Sequence, residues 1–221
     1  VGSEMCIRDS IMEGYYEKED SIIDRVFRSI GIKSYRVGAV TDTGKTKSGK
    51  IKRTLIGTWS KSKPDIVKCS LLYSWIKEPN YTQTDEMSMY VKNGTPIYKT
   101  VKTKYSCFCY YPTTKKTKNC MSTPSTIYNN NGVGIKQKLR NSTRSGIVSE
   151  HVLTISYDAK IDNKKSWKYV QVNGEYYHQQ SKLSVEPSLS LSSNGSLNLT
   201  PSIKKKFQYL TNPPQVFVYF K

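Results

Sequence analysis

From Leu183 to Ile203, apolar residues and prolines fall at every second position: Leu183, Val185, Pro187, Leu189 and Leu191, then, past Ser193-Asn194-Gly195, Leu197, Leu199, Pro201 and Ile203. A period of two on both sides of a turn is the pattern of a β-hairpin with one apolar face. A two-residue Asn194-Gly195 loop would set Leu191 opposite Asn198 and send the two apolar sets to opposite faces. A three-residue loop, Ser193 to Gly195, instead pairs Leu191 with Leu197, Leu189 with Leu199 and Val185 with Ile203. It also puts Gly195 where a type I turn with a G1 bulge needs positive φ.

Alternation or β-branched and aromatic bulk predicts further strands over 52–59, 66–75, 87–91, 96–111, 133–139, 148–161, 168–178 and 216–220. Asn93-Gly94 and Asn173-Gly174 read as turns, and 41–51 and 112–124 as polar loops. One stretch has helical spacing. Ile22, Ile23, Val26, Phe27 and Ile30 lie on one stripe, Asp20 or Ser21 can cap it, Asp24 stands at the capping-box offset from Ser21, and Gly31 ends it. The expected fold is therefore mainly β, an antiparallel β-sandwich with one N-terminal α-helix at about residues 20–30. Residues 11–221 are expected to form a single domain. The first ten residues, VGSEMCIRDS, resemble translated sequencing-adapter read-through and are set aside as non-native; a signal peptide ahead of Ile11 would have been lost with the gene start.

Charge adds a partner class. The chain carries a formal net charge of +18, which attracts anionic partners. With 28 Lys against 7 Arg, spread along the chain, the field is diffuse and unlike the Arg-rich surfaces that read base edges. Specific nucleic-acid binding is not expected, and codon bias in an AT-rich genome accounts for much of the lysine. The densest basic segments are Lys115, Lys116 and Lys118, and Lys204, Lys205 and Lys206; these are the candidate contacts for an anionic cell-wall polymer or membrane surface. No apolar run approaches the roughly eighteen residues of a membrane helix.

Setting Cys6 aside with the first ten residues leaves Cys69, Cys107, Cys109 and Cys120. Cys107 and Cys109 share a face if they lie on one strand, where neighbours two apart cannot readily bridge each other. Each then needs a partner elsewhere. At least one disulfide among the four is expected in an exported protein, with three connectivities open. A zinc site is not expected, because there is no Cys-x-x-Cys pair and His151 and His178 lie far off in sequence.

Leu72-Tyr73-Ser74-Trp75, then Pro79 and Thr84-Asp85, then Tyr176-Tyr177-His178 and the Ser/Leu hairpin resemble a group of uncharacterised exported proteins of Gram-positive bacteria. The resemblance spans most of 55–207 and implies a secreted or cell-surface location, without assigning a role to any residue.

No catalytic constellation stands out. Two histidines among many Ser and Asp define no triad, and the spacing of Asp65, Glu78, Asp85, Glu86, Glu150 and Asp158 selects no carboxylate pair. In Tyr110-Tyr111 and Tyr176-Tyr177 one ring of each pair should face the core and the other outward. The expectation is a non-catalytic protein without a cofactor that binds an anionic surface. The alternative is a pore former inserting the hairpin of Leu189, Leu191, Leu197 and Leu199, against which Pro187 and Pro201 would each withdraw a ladder donor.

Overall fold

The structure is a computed structural model that describes residues 39–45, 50–77, 79, 82–163, 165–181, 188–200, 203, 207–209 and 213–220, all within the compact unit of residues 37–221. The helix expected at residues 20–30 lies outside the described residues, as do Val185, Pro187, Pro201 and Lys204 to Lys206.

Among the described residues thirteen strands follow one another: β1 (Ala39–Lys45), β2 (Ile51–Ser60), β3 (Lys63–Trp75), β4 (Thr84–Lys92), β5 (Gly94–Pro96), β6 (Lys102–Tyr111), β7 (Lys116–Ser122), β8 (Ser125–Asn129), β9 (Gly132–Lys138), β10 (Ile147–Ile161), β11 (Tyr169–Gln179), β12 (Phe207–Tyr209) and β13 (Gln215–Tyr219). They form two antiparallel sheets. One runs β1-β2-β3-β10-β6-β7, with β5 also on β10; the other runs β12-β11-β4-β9-β8, with β13 also on β11.

Alternation explains the core. Val67, Cys69, Leu71, Tyr73 and Trp75 of β3, Leu153, Ile155, Tyr157 and Ala159 of β10, and Met87, Met89 and Val91 of β4 turn one set of side chains into a single cluster between the sheets. Tyr157 ties the sheets by donating its hydroxyl to the Met89 carbonyl at 3.1 Å. At Gly57 the sheets leave no room for a side chain: a Cβ there would lie 2.2 Å from Val218 Cγ2.

Several local expectations change. Asn173-Gly174 is not a turn but the middle of β11; the glycine is needed because a Cβ would meet Leu71 at 2.9 Å and Pro214 at 3.0 Å. The loop expected over 112–124 contains β7, so Cys120 is a strand residue, and the loop expected over 41–51 begins inside β1. Asn93, with φ 65°, does make the expected turn between β4 and β5. Tyr176 enters the core while Tyr177 is buried on the opposite face, and Tyr110 is exposed while Tyr111 packs against the core.

The Ser/Leu hairpin forms as expected at its tip. Leu191 bridges Leu197, Ser192 N–H donates to Ser196 O at 2.8 Å, and Gly195 has φ 89°. Among the described residues 188–200 the pairing is a single bridge, flanked by chain outside any strand; the expected pairing of Val185 with Ile203 falls outside the described residues.

Candidate functional site

Three features stand out, and the strand registers create each of them. The first is a sealed polar cluster. Trp75 on β3, Asp85 on β4, and Tyr176 and His178 on β11 all point inward, and Asp85 is fully buried. Its carboxylate accepts from His178 Nδ1–H at 2.6 Å, Trp75 Nε1–H at 3.1 Å and the Tyr176 hydroxyl. Trp75 Nε1–H also reaches Tyr176 Oη at 2.9 Å, and the Tyr176 ring stacks on Tyr73 at 4.5 Å. A buried carboxylate is tolerable only when its oxygens are met by donors, and here both are. Burial, with Asp85 beside it, holds the Tyr176 phenol far above its ordinary pKa. Since β3 belongs to one sheet and β4 and β11 to the other, the cluster bolts the sheets together.

A second polar step adjoins it. The Tyr105 hydroxyl accepts the Arg140 backbone N–H at 3.0 Å and donates to His151 Nδ1 at 2.7 Å. Burial lowers the His151 pKa and raises that of Tyr105, so both are neutral at pH 7.

The second feature is a group of thiols. β6 sends Cys107 and Cys109 inward with Tyr105, and the β6–β7 register sets Cys107 directly opposite Cys120. The three sulfurs lie within 4.8 Å of one another. Burial, then the Cys120 and Cys107 thiols, push Cys109 up to about 12, while the Arg140 guanidinium acts in the opposite sense. Cys69 is separate, in the core on β3, where burial pushes its thiol up strongly. All four are free thiols, so the expected disulfide does not appear among the described residues.

The third feature is basic. Lys115 closes the β6–β7 turn at φ 52°, and β7 carries Lys116 opposite Tyr111 and Lys118 opposite Cys109. All three are exposed, and none has an ion-pair partner among the described residues. By alternation Lys116 and Lys118 share a face of β7 with Cys120. Arg140, exposed two residues past the end of β9, lies close enough for its charge to act on the thiols.

The hairpin is placed elsewhere. Leu189, Leu191, Leu197 and Leu199 pack with Tyr177, Phe207 and Ile203 on the outward face of the second sheet. Leu191 lies so close that a Cβ on Gly134 would meet it at 2.9 Å. Asn129 and Asn131 side chains donate to the Ser192 and Ser193 carbonyls at 2.6 and 2.7 Å, and Leu197 N–H donates to Glu175 Oε2 at 2.9 Å.

No family model matches this chain, and no curated protein matches it. Among solved structures it is similar to the collagen-binding subdomain of the Enterococcus faecalis surface protein ACE, with TM-score 0.31, 8% identity, and coverage of 85% of this chain and 99% of that one. It is similar too to the collagen-binding domain of a Staphylococcus aureus adhesin, with TM-score 0.31, 7% identity, and coverage of 84% and 99%. The pilus backbone protein RrgB of Streptococcus pneumoniae gives TM-score 0.34 and 12% identity over 83% of this chain and 48% of that one. These neighbours are β-domains of Gram-positive surface proteins. Likeness at this level does not extend to ligand or partner.

Sequence reading placed Cys107 and Cys109 on one face and treated Lys115, Lys116 and Lys118 as a surface segment. It missed that β7 pairs with β6 and so delivers Cys120 to the other two. Five of the residues quoted for the resemblance, Tyr73, Trp75, Asp85, Tyr176 and His178, converge in the sealed cluster, while Tyr177 and the hairpin leucines pack on the other face.

Proposed function

We propose that this chain is a non-catalytic binding domain that works outside the cell and attaches to an anionic surface, a cell-wall polymer or lipid headgroups, through the basic edge at β7. The observation that carries the reading is the edge itself: Lys115, Lys116 and Lys118 are exposed, adjacent and free of ion-pair partners among the described residues, on a chain of net charge +18. Lysines so placed are worth about 1 kcal/mol each against an anionic membrane surface. The sealed cluster favours a structural use of its acid–base groups, because Asp85 is fully buried, His178 is nearly so, and its Nδ1 is turned to Asp85. The packing of the hairpin leucines onto Tyr177 and Phe207 favours binding over insertion.

Vesicle sedimentation with a dye-release readout tests this. Binding to anionic vesicles, absent with neutral ones, weakened by salt and without leakage, is the expected result. Binding indifferent to salt and to lipid charge would overturn it, and leakage would turn the hairpin into a membrane element.

A further inference from the structure

Three cysteines drawn to one point exceed what a crosslink uses, and their surroundings suit a cation held by sulfur. We propose that Cys107, Cys109 and Cys120 form a three-thiolate site for a cuprous ion.

Geometry comes first. Cys107 and Cys109 descend from one strand at a spacing of two, Cys120 comes from the strand beside it, and the sulfurs lie within 4.8 Å of one another. Three sulfurs about 2.3 Å from a shared ion stand roughly 4 Å apart, so small rotations about the Cys side-chain bonds bring the set to bonding distance. Strands are stiff supports, which fixes where the sulfurs start.

The donor set selects the metal. Among the described residues no His or carboxylate joins the three thiols. Thiolates alone favour soft ions, and three-coordination suits Cu(I), whereas structural zinc is almost always held by four ligands. Binding exchanges three thiol protons for the ion, leaving a complex of net charge −2. Arg140 lies near the sulfurs, and Lys116 and Lys118 share the face of β7 that carries Cys120, so positive charge stands where that complex needs it. Among the described strands β7 is the edge of its sheet, so Cys120 is the ligand nearest the side from which an ion would enter.

The test uses the full chain, reduced and without oxygen, titrated with Cu(I) held as its bicinchoninate complex. The expected result is withdrawal of one equivalent per chain with a new near-ultraviolet thiolate-to-copper band. Cys69→Ser should leave both unchanged, and Cys107→Ser, Cys109→Ser and Cys120→Ser should each weaken capture on the order of 100-fold with an unchanged circular dichroism spectrum. Any one of three results would overturn the site: no capture by the reduced chain, equal loss in Cys69→Ser, or Zn(II) displacing an equal concentration of Cu(I). If a serine variant unfolds, Arg140→Gln supplies the second measurement. It keeps all ligands and should lower Cu(I) affinity severalfold, and an unchanged affinity would count against the proposed charge balance.

Discussion

Replacing Asp85 by alanine isolates the claim that the sealed cluster holds the sheets together. The substitution removes the acceptor of three donors, His178 Nδ1–H, Trp75 Nε1–H and the Tyr176 hydroxyl. Trp75 keeps a partner in Tyr176 Oη at 2.9 Å, so two donors are stranded in a dry core. Each orphaned buried group costs about 1–3 kcal/mol, so the two together cost about 2–6 kcal/mol. For a domain whose whole stability is about 5–15 kcal/mol, this is a large fraction. Asp85→Asn keeps one acceptor oxygen but turns a donor toward other donors, and should cost about 2–4 kcal/mol. Tyr176→Phe removes one donor to Asp85 and one acceptor of Trp75 Nε1–H, which keeps Asp85, and should cost about 1–2 kcal/mol, with strong non-additivity when combined with Asp85→Ala because the two share a bond. Urea unfolding followed by tryptophan fluorescence, with Trp75 in the cluster, reads these changes as midpoint shifts at constant m. A loss below about 1 kcal/mol for Asp85→Ala at unchanged m would refute the argument, since it would mean the donors find other partners.

His151 makes stability depend on pH. Its folded pKa lies below the ordinary 6.5 because of burial, so the unfolded chain binds the extra proton as pH falls through that value and stability declines below it. His151→Gln should flatten the curve below about pH 6.5 in urea titrations, and leave it unchanged above. Gly195→Ala combines positive φ with a Cβ 2.6 Å from Tyr90 Cβ, and should cost more than the about 1 kcal/mol of the backbone effect alone, seen as a lowered thermal midpoint. Gly57→Ala drives a methyl into Val218 and should cost about 1–3 kcal/mol by chemical denaturation.

Local chemistry was legible in the chain. The Ser193-Asn194-Gly195 turn and the bridge from Leu191 to Leu197 depend on residues within a few positions of each other, and turn chemistry settles them. The alternation in β10 likewise marks its core face. Where the reading failed, a distant neighbour decided. Asn173-Gly174 has the composition of a turn, yet Leu71 from the facing sheet claims the space above Gly174 and keeps the strand running. β7, Lys116–Ser122, has little apolar bulk to announce a strand; pairing with β6 makes it one. Without that pairing Cys120 has no reason to meet Cys107. Asp85 and His178 are 93 residues apart, and only the β4–β11 register brings them together.

The basic edge admits the most direct measurement. Lys115→Asn, which keeps a residue at ease with positive φ, combined with Lys116→Glu and Lys118→Glu, alters the edge while leaving the cores intact. The account predicts that affinity for anionic vesicles falls on the order of 100-fold or more and loses most of its salt dependence, with an unchanged unfolding midpoint. Undiminished, salt-sensitive binding by the folded variant would contradict it.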